Sequence, residues 1–100
     1  MKRSARQRVP YKFRLYIAGD TQNSAQAVAN LNALCRADLP DRHHIEIVNV
    51  FQEPKRALGD GIFMTPTLIK LMPSPVQRIV GTLSQMQPLR DALGLSHEAA

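Results

Sequence analysis

The stretch TPTLIKLMPSPVQRIVG, residues 65–81, decides the fold, and its residues support two local structures. As a hairpin, residues 67–71 are rich in β-formers, Ile79 and Val80 supply a second strand, and Pro73-Ser74-Pro75 between them is turn chemistry. As a helix start, the Ser74 hydroxyl is a good N-cap and Pro75 suits the first helical position, where no amide donor is needed. Val76, Ile79, Val80 and Leu83 then fall at i, i+3, i+4 and i+7, one apolar stripe. Local physics does not choose between them. Such a conflict is resolved by tertiary contacts, or it marks two packings within a few kcal/mol of each other.

Around this stretch the composition is that of an ordinary globular domain. A chain of 100 residues that is 44% hydrophobic and 21% charged buries one core without staples. The apolar runs are too short to span a bilayer. The net charge of +5 points to nucleic acid until the charges are located. Lys2, Arg3, Arg6, Arg8, Lys12 and Arg14 place six of the thirteen basic residues, and no acid, in the first fourteen positions, so the remainder is close to neutral. Residues 1–11 read as a basic flexible tail, residues 12–95 as one domain and residues 96–100 as a flexible end. No aromatic-interleaved RNA motif follows the tail, so nucleic acid is not the expected partner. The absence of a secretory pattern and the single cysteine, Cys35, place the chain in the cytoplasm as an expectation.

Working outward, KFRLYIA (residues 12–18) alternates with Phe13, Leu15 and Ile17 on one face, the pattern of a strand. The turn GDTQNS follows, with Thr21, Asn23 or Ser24 available to cap a helix. Ala27, Val28, Leu31, Leu34 and Cys35 then recur at helical spacing until Pro40-Asp41. HIEIVNV (residues 44–50) is nearly continuously apolar and predicts an inner parallel strand covered on both faces. QEPKRALGDG holds one short helix. LSQMQPLRDALGL offers a capping box, Ser84 with Gln87, ahead of a last helix in which Pro88 falls in the first turn. The order βαβαββα, with a parallel first half and an antiparallel C-terminal hairpin, is an α/β thioredoxin-like arrangement. In that arrangement the turn at Thr65-Pro66 predicts a cis bond.

A thioredoxin-like shell invites redox chemistry, which needs a low-pKa thiolate at the start of the first helix. Here that loop reads AGDTQNS and contains none. Cys35 lies near the far end of the helix on its apolar stripe, a core position. His43 and His44 point to opposite faces of an extended segment and have no zinc-site partners. Asp20 serves a helix-initiating turn. No phosphate loop, nucleophile elbow or H-E-x-x-H stands in the chain, so neither an enzymatic activity nor a cofactor is expected.

RLYIAGDTQNS (residues 14–24), IVNVFQEP (residues 47–54) and TPTLIKLMPSPVQRIVGTLS (residues 65–84) together resemble the KaiB family, the small clock proteins of cyanobacteria and their relatives in other bacteria. The combination of LYIAG, TPTL and P-x-P-V-x-R-I-x-G at this spacing carries the resemblance. It implies a non-catalytic protein that docks on a KaiC-type hexameric ATPase, in a circadian clock or in a timer or stress-response system. Further implied partners are a histidine kinase or a KaiA-like protein, together with self-association as a dimer or tetramer. It also implies fold switching: an alternative ground-state packing, βαββααβ, makes PSPVQRIVG helical and the last segment a strand. Candidate partner-binding residues are Lys55 and Arg56 on the short helix and Glu46 on the second strand, where relatives often carry Lys. Candidate hinge residues are Pro66, Pro73, Pro75, Gly81, Thr82, which stands where relatives typically show Asp, and Pro88.

A further departure bears on the alternative packing. The last segment contains Pro88, Arg90, Asp91 and Ala92 where the family's alternative strand is apolar. Proline deletes a ladder hydrogen bond and alanine favours helix. The expectation is a bias toward the thioredoxin-like state on the order of a few kcal/mol. A different class of function, a stand-alone thioredoxin-like sensor or interaction domain related to the input domain of a clock-output histidine kinase, is the alternative.

Overall fold

The computed structural model describes residues 9–95. The charged positions before Val9 and the segment after Leu95, including most of the expected tail, lie outside the described residues. Seven elements occur in order: β1 (Tyr11–Ile17), α1 (Gln22–Asp38), β2 (His43–Asn49), α2 (Pro54–Gly59), β3 (Thr67–Met72), β4 (Gln77–Val80) and α3 (Met86–Leu93). The ambiguous stretch is a hairpin, β3 and β4, and the order is the expected βαβαββα. The Thr65-Pro66 bond is cis, as are Met72-Pro73 and Ser74-Pro75.

One sheet of order β2-β1-β3-β4 carries the fold. β1 runs parallel to β2, with Arg14 opposite Glu46 and Tyr16 opposite Val48. It runs antiparallel to β3, with Phe13 opposite Lys70 and Leu15 opposite Leu68. β3 and β4 pair antiparallel, with Ile69 opposite Arg78. Period-two alternation gives the sheet two different faces. Phe13, Leu15 and Leu68 pack with Leu31, Leu34 and Leu93 of α1 and α3 into the main core. The opposite face holds a thin cluster of Tyr16, Val48, Ala57 and Ile69 under α2.

Helix α1 forms because its buried residues, Ser24, Ala27, Leu31, Leu34 and Cys35, recur at helical spacing and Thr21 caps its start, its hydroxyl accepting from the Ser24 amide at 3.4 Å. Helix α3 closes on Gly94 at φ 79°, with the Leu95 amide donating to the Arg90 carbonyl.

Three expectations are corrected. β2 is an edge strand with only Val48 buried, not an inner strand covered on both faces. Its apolar run misleads because His44 and Glu46 are polar positions on the face where only Val48 is buried, under α2, while Ile47 on the other face remains 43% exposed. Tyr11, assigned to the tail, starts β1, is buried and donates its hydroxyl to the Leu93 carbonyl at 3.2 Å. Ser84 does not cap α3; the helix starts at Met86 behind Gln85 with no side-chain cap, and the Ser84 hydroxyl instead accepts from Thr82 at 3.3 Å.

Candidate functional site: the α2 face of the sheet

The turn after β2 is built around Asn49. Its side-chain oxygen accepts from the Gly19 and Phe51 amides, and its carbonyl accepts from Gln52 and Glu53. Pro54 then opens α2 at a position where its missing donor is no loss. A helix of six residues is too short to stand by its own propensity. It is held by burial of Ala57 and by a charged network laid across the sheet face.

The register that sets Arg14 opposite Glu46 makes this network possible. Arg14 Nε donates to Glu46 at 2.9 Å and its Nη1 reaches Asp60 at 3.1 Å. Arg56 Nη1 lies 2.7 Å from the other Glu46 oxygen and 3.3 Å from Glu53. The buried Tyr16 hydroxyl donates to Asp60 at 2.5 Å. Arg78, from β4, donates to the Asp60 and Gly61 carbonyls and so caps the end of α2. Hydrogen bonds from Arg56 and then Arg14 pull the Glu46 carboxyl down to about 2. The Tyr16 hydroxyl and Arg14 hold Asp60 below its ordinary value, and burial raises Tyr16. Individual exposed ion pairs contribute little, but shared carboxylates fix the geometry of both guanidinium groups. The product is a positioned charged platform.

Of the three partner-binding candidates, Glu46 and Arg56 are therefore brought into contact, while Lys55 stands exposed on α2 beside them. Among the hinge candidates, Pro66 and Gly81 meet, the Gly81 amide donating to the Pro66 carbonyl at 2.9 Å. Gly81 holds φ 126°, a conformation that favours glycine. Thr82 accepts at its carbonyl from Asn30 of α1 at 2.8 Å. Pro73 and Pro75 occupy the hairpin turn at the opposite end of β4, and Pro88 is exposed in the first turn of α3. Sequence reasoning missed Arg14, Tyr16, Asp60, Arg78 and Asn30. The polar positions of the alternating β1 pattern were a signal for Arg14 and Tyr16; nothing local singles out Asp60 or Asn30.

The residues weighed for chemistry are dispersed. Cys35 is buried on α1, and burial followed by the Asp38 charge pushes its thiol up to about 11, the reverse of an activated nucleophile. His43 sets Nδ1 2.8 Å from the Leu39 carbonyl while His44 faces out beside Lys12. Asp20 is exposed in its turn. Among the described residues no group of three or more His, Cys, Asp or Glu is placed to hold a metal, and no helix is long and apolar enough to cross a membrane.

A four-stranded sheet whose first helix is capped by Thr21 with no thiol in the turn before it, and whose other face carries a charged platform, defines a protein of the thioredoxin-like fold class. The chain belongs to the KaiB family: the KaiB domain model matches residues 14–95. It is 46% identical over 74 residues to circadian clock protein KaiB3 of Synechocystis, spanning 74% of this chain and 72% of that protein. It is 36% identical over 91 residues to the circadian clock oscillator protein KaiB of Thermostichus vulcanus, 91% of this chain and 84% of that one. Among solved structures it resembles the N-terminal domain of Synechococcus elongatus SasA, at 20% identity and TM-score 0.68 over 93% of this chain and 85% of that one. It also resembles chloroplastic thioredoxin z, at 15% identity and TM-score 0.72 over 90% and 81%. At these identities the structural likenesses establish the thioredoxin-like fold.

Proposed function

We propose that this chain is a non-catalytic regulatory protein that docks on a KaiC-type hexameric ATPase, presenting α2 and its charged platform to the ring. Family membership across residues 14–95 carries this reading. The platform supports it: Arg56 is tethered at Glu46 while Lys55 projects from the same short helix, so cationic groups are displayed at a fixed position rather than on a mobile loop. The work is done by interface burial, and the regulation by the fraction of molecules in which α2 is displayed. Dimers or tetramers of the alternative packing, in which residues 75–83 become helical, provide the undisplayed state. A KaiA-like protein or a histidine kinase is a further partner of the displayed one.

The test is a pull-down of the full chain with a KaiC-type ATPase in ATP and in ADP, alongside gel filtration of the free protein. Retention under one nucleotide, weakened at least tenfold when Lys55 and Arg56 are both replaced by Glu, is the expected result. No retention under either nucleotide refutes ring docking. Amide chemical shifts reporting residues 75–83 as strand under every temperature and concentration refute the switch.

A further inference from the structure

We propose that the open edge of β4 is a docking site for an extended acidic-apolar segment of a partner protein, adjoining the α2 platform, with which it shares Arg78, and not requiring ring docking. Among the described residues β4 is the terminal strand of the sheet. The Gly81 amide donates to the Pro66 carbonyl at 2.9 Å. In an antiparallel ladder hydrogen-bonded pairs alternate, so Ile79 and Gln77 turn their main-chain groups toward β3, and Arg78 and Val80 turn theirs outward. A row of unpaired donors and acceptors is a template for an added strand.

Side-chain space flanks this edge on both faces of the sheet. On the α3 side lies a cavity of about 240 Å³ lined by Ile79, Val80, Leu83, Pro88, Leu89 and Ala92 among others. On the α2 side lies one of about 130 Å³, lined by Ile62, Phe63, Met64, Arg78 and Val80 among others. Phe63 is 90% exposed and Val80 54%, apolar surface with nothing described over it. Successive side chains of an added strand point to opposite faces, so an incoming segment reaches both cavities by alternation. Main-chain pairing supplies affinity and the two cavities supply selection.

The charge decides the occupant. Arg78 lies at the outward-facing position, donates to the Asp60 and Gly61 carbonyls and, although its charge is felt by the Asp60 carboxylate, makes no direct ion pair among the described residues. A residue paired directly across from it on the same face is best an acid, and like charge there is unfavourable. A second copy of β4, Gln-Arg-Ile-Val, brings another cation and no carboxylate. A partner segment with one acidic residue and apolar neighbours therefore fits better than self-pairing.

The experiment titrates the full-length chain, with no ATPase present, with a short capped peptide of valine and threonine carrying one central glutamate, and follows backbone amides by NMR. Saturable shifts are expected at Arg78 and Val80 and at Phe63 and Met64. Replacing the peptide's glutamate by lysine should weaken binding about tenfold, and Arg78→Glu should reverse that preference. Because Arg78 also caps α2, Phe63→Ser provides a second variant in a side chain free of the core, expected to weaken binding about fivefold. The proposal is overturned by shifts that fail to saturate or fall elsewhere, or by indifference to the charge reversal. It is equally overturned by β4 shifts that change on dilution without peptide, which would assign the edge to a second copy. Loss of ring binding with intact peptide binding, or the converse, separates this site from the α2 platform.

Discussion

Lys70 offers the sharpest test of how this sheet is held. The side chain is 4% exposed on the core face of β3, opposite Phe13 and Gln77, with its ammonium 5.9 Å from the centre of the Tyr11 ring. No carboxylate pairs with it among the described residues, and the neighbouring Gln77 Oε1 is a buried acceptor with no partner. Burial lowers the Lys70 pKa. Lys70→Met keeps the length and volume of the stem while removing the charge. Burying an unpaired ammonium costs about 2–4 kcal/mol after relaxation, and the aromatic face returns about 1–2, leaving a net gain of about 1–2 kcal/mol for methionine. In a domain of this size that raises Tm by roughly 5–15 °C. The sign with pH comes from linkage. Below the folded-state pKa the lysine is protonated in both states and its full cost is felt. Between that lowered value and 10.5 the unfolded chain binds more protons, so native stability rises with pH, and above 10.5 the cost is gone. Tyr11 and Tyr16, both raised by burial, work in the opposite direction above 10; Tyr16 is common to both proteins and cancels in the difference, while Tyr11, which Lys70 faces, makes the comparison cleanest below pH 10. Urea melts of parent and Lys70→Met between pH 7 and 11, followed by circular dichroism, should therefore show the advantage of methionine shrinking as pH rises. A variant less stable than its parent at pH 7, or a difference flat across that range, refutes the claim that a charge without a carboxylate partner lies buried on the core face of β3.

Gly81→Ala places a Cβ at φ 126°, where space is open but the backbone is not available to alanine, and should lower stability by about 1–3 kcal/mol in denaturant melts. Cys35→Ser buries a hydroxyl in an apolar site and should cost about 1–3 kcal/mol while leaving ring retention in the pull-down unchanged at temperatures where the fold is intact. Glu46 and Asp60, both lowered in the fold, stabilise it above their ordinary carboxylate values, and that contribution should be lost as pH falls through the folded values, near 2 for Glu46. Carboxyl carbon NMR titration of the native chain, with and without Arg56→Ala, should show Glu46 titrating higher in the variant.

How far the sequence could be read depended on whether the deciding contact was local. β1 and α1 were legible because their apolar periods match the surfaces they bury: Phe13 and Leu15 on one strand face, Leu31, Leu34 and Cys35 on one helix stripe. β2 misled because a run of apolar residues is compatible with either an inner or an edge strand, and the difference lies in what neighbours it. Lys55, Arg56 and Glu46 were picked from family resemblance, and the structure adds the physical connection between two of them. Asp60, Arg78 and Tyr16 complete that network from separate elements, and their convergence on the end of α2 is a property of the register, not of any motif. Nothing in the sequence singles out Lys70, and only its burial beside the Tyr11 ring makes it exceptional.

The same distinction explains how residues 65–81 settle. Their own preferences are balanced, so the choice falls to residues 82–93. The linker after β4 is tied back to α1 by the Asn30 side chain at the Thr82 carbonyl, and Leu83 is buried despite φ 64°, a conformation unusual for leucine. Arg90 of α3 pairs with Asp38 at the end of α1 at 2.6 Å, while Leu89 and Leu93 of the same helix enter the main core. These contacts require residues 82–93 to lie on α1. Pro88 is harmless in the first turn of α3 but would interrupt a strand ladder. The features that disfavour a C-terminal strand are thus the ones that seat α3 as a helix. Any packing that turns residues 86–93 into strand must break the Arg90–Asp38 pair, expose Leu89 and Leu93 to rearrangement and place a proline in a ladder. Asn30 and Asp38 of α1, far from residues 65–81 in sequence, are thus the positions that hold residues 82–93 in the packing in which that stretch is a hairpin.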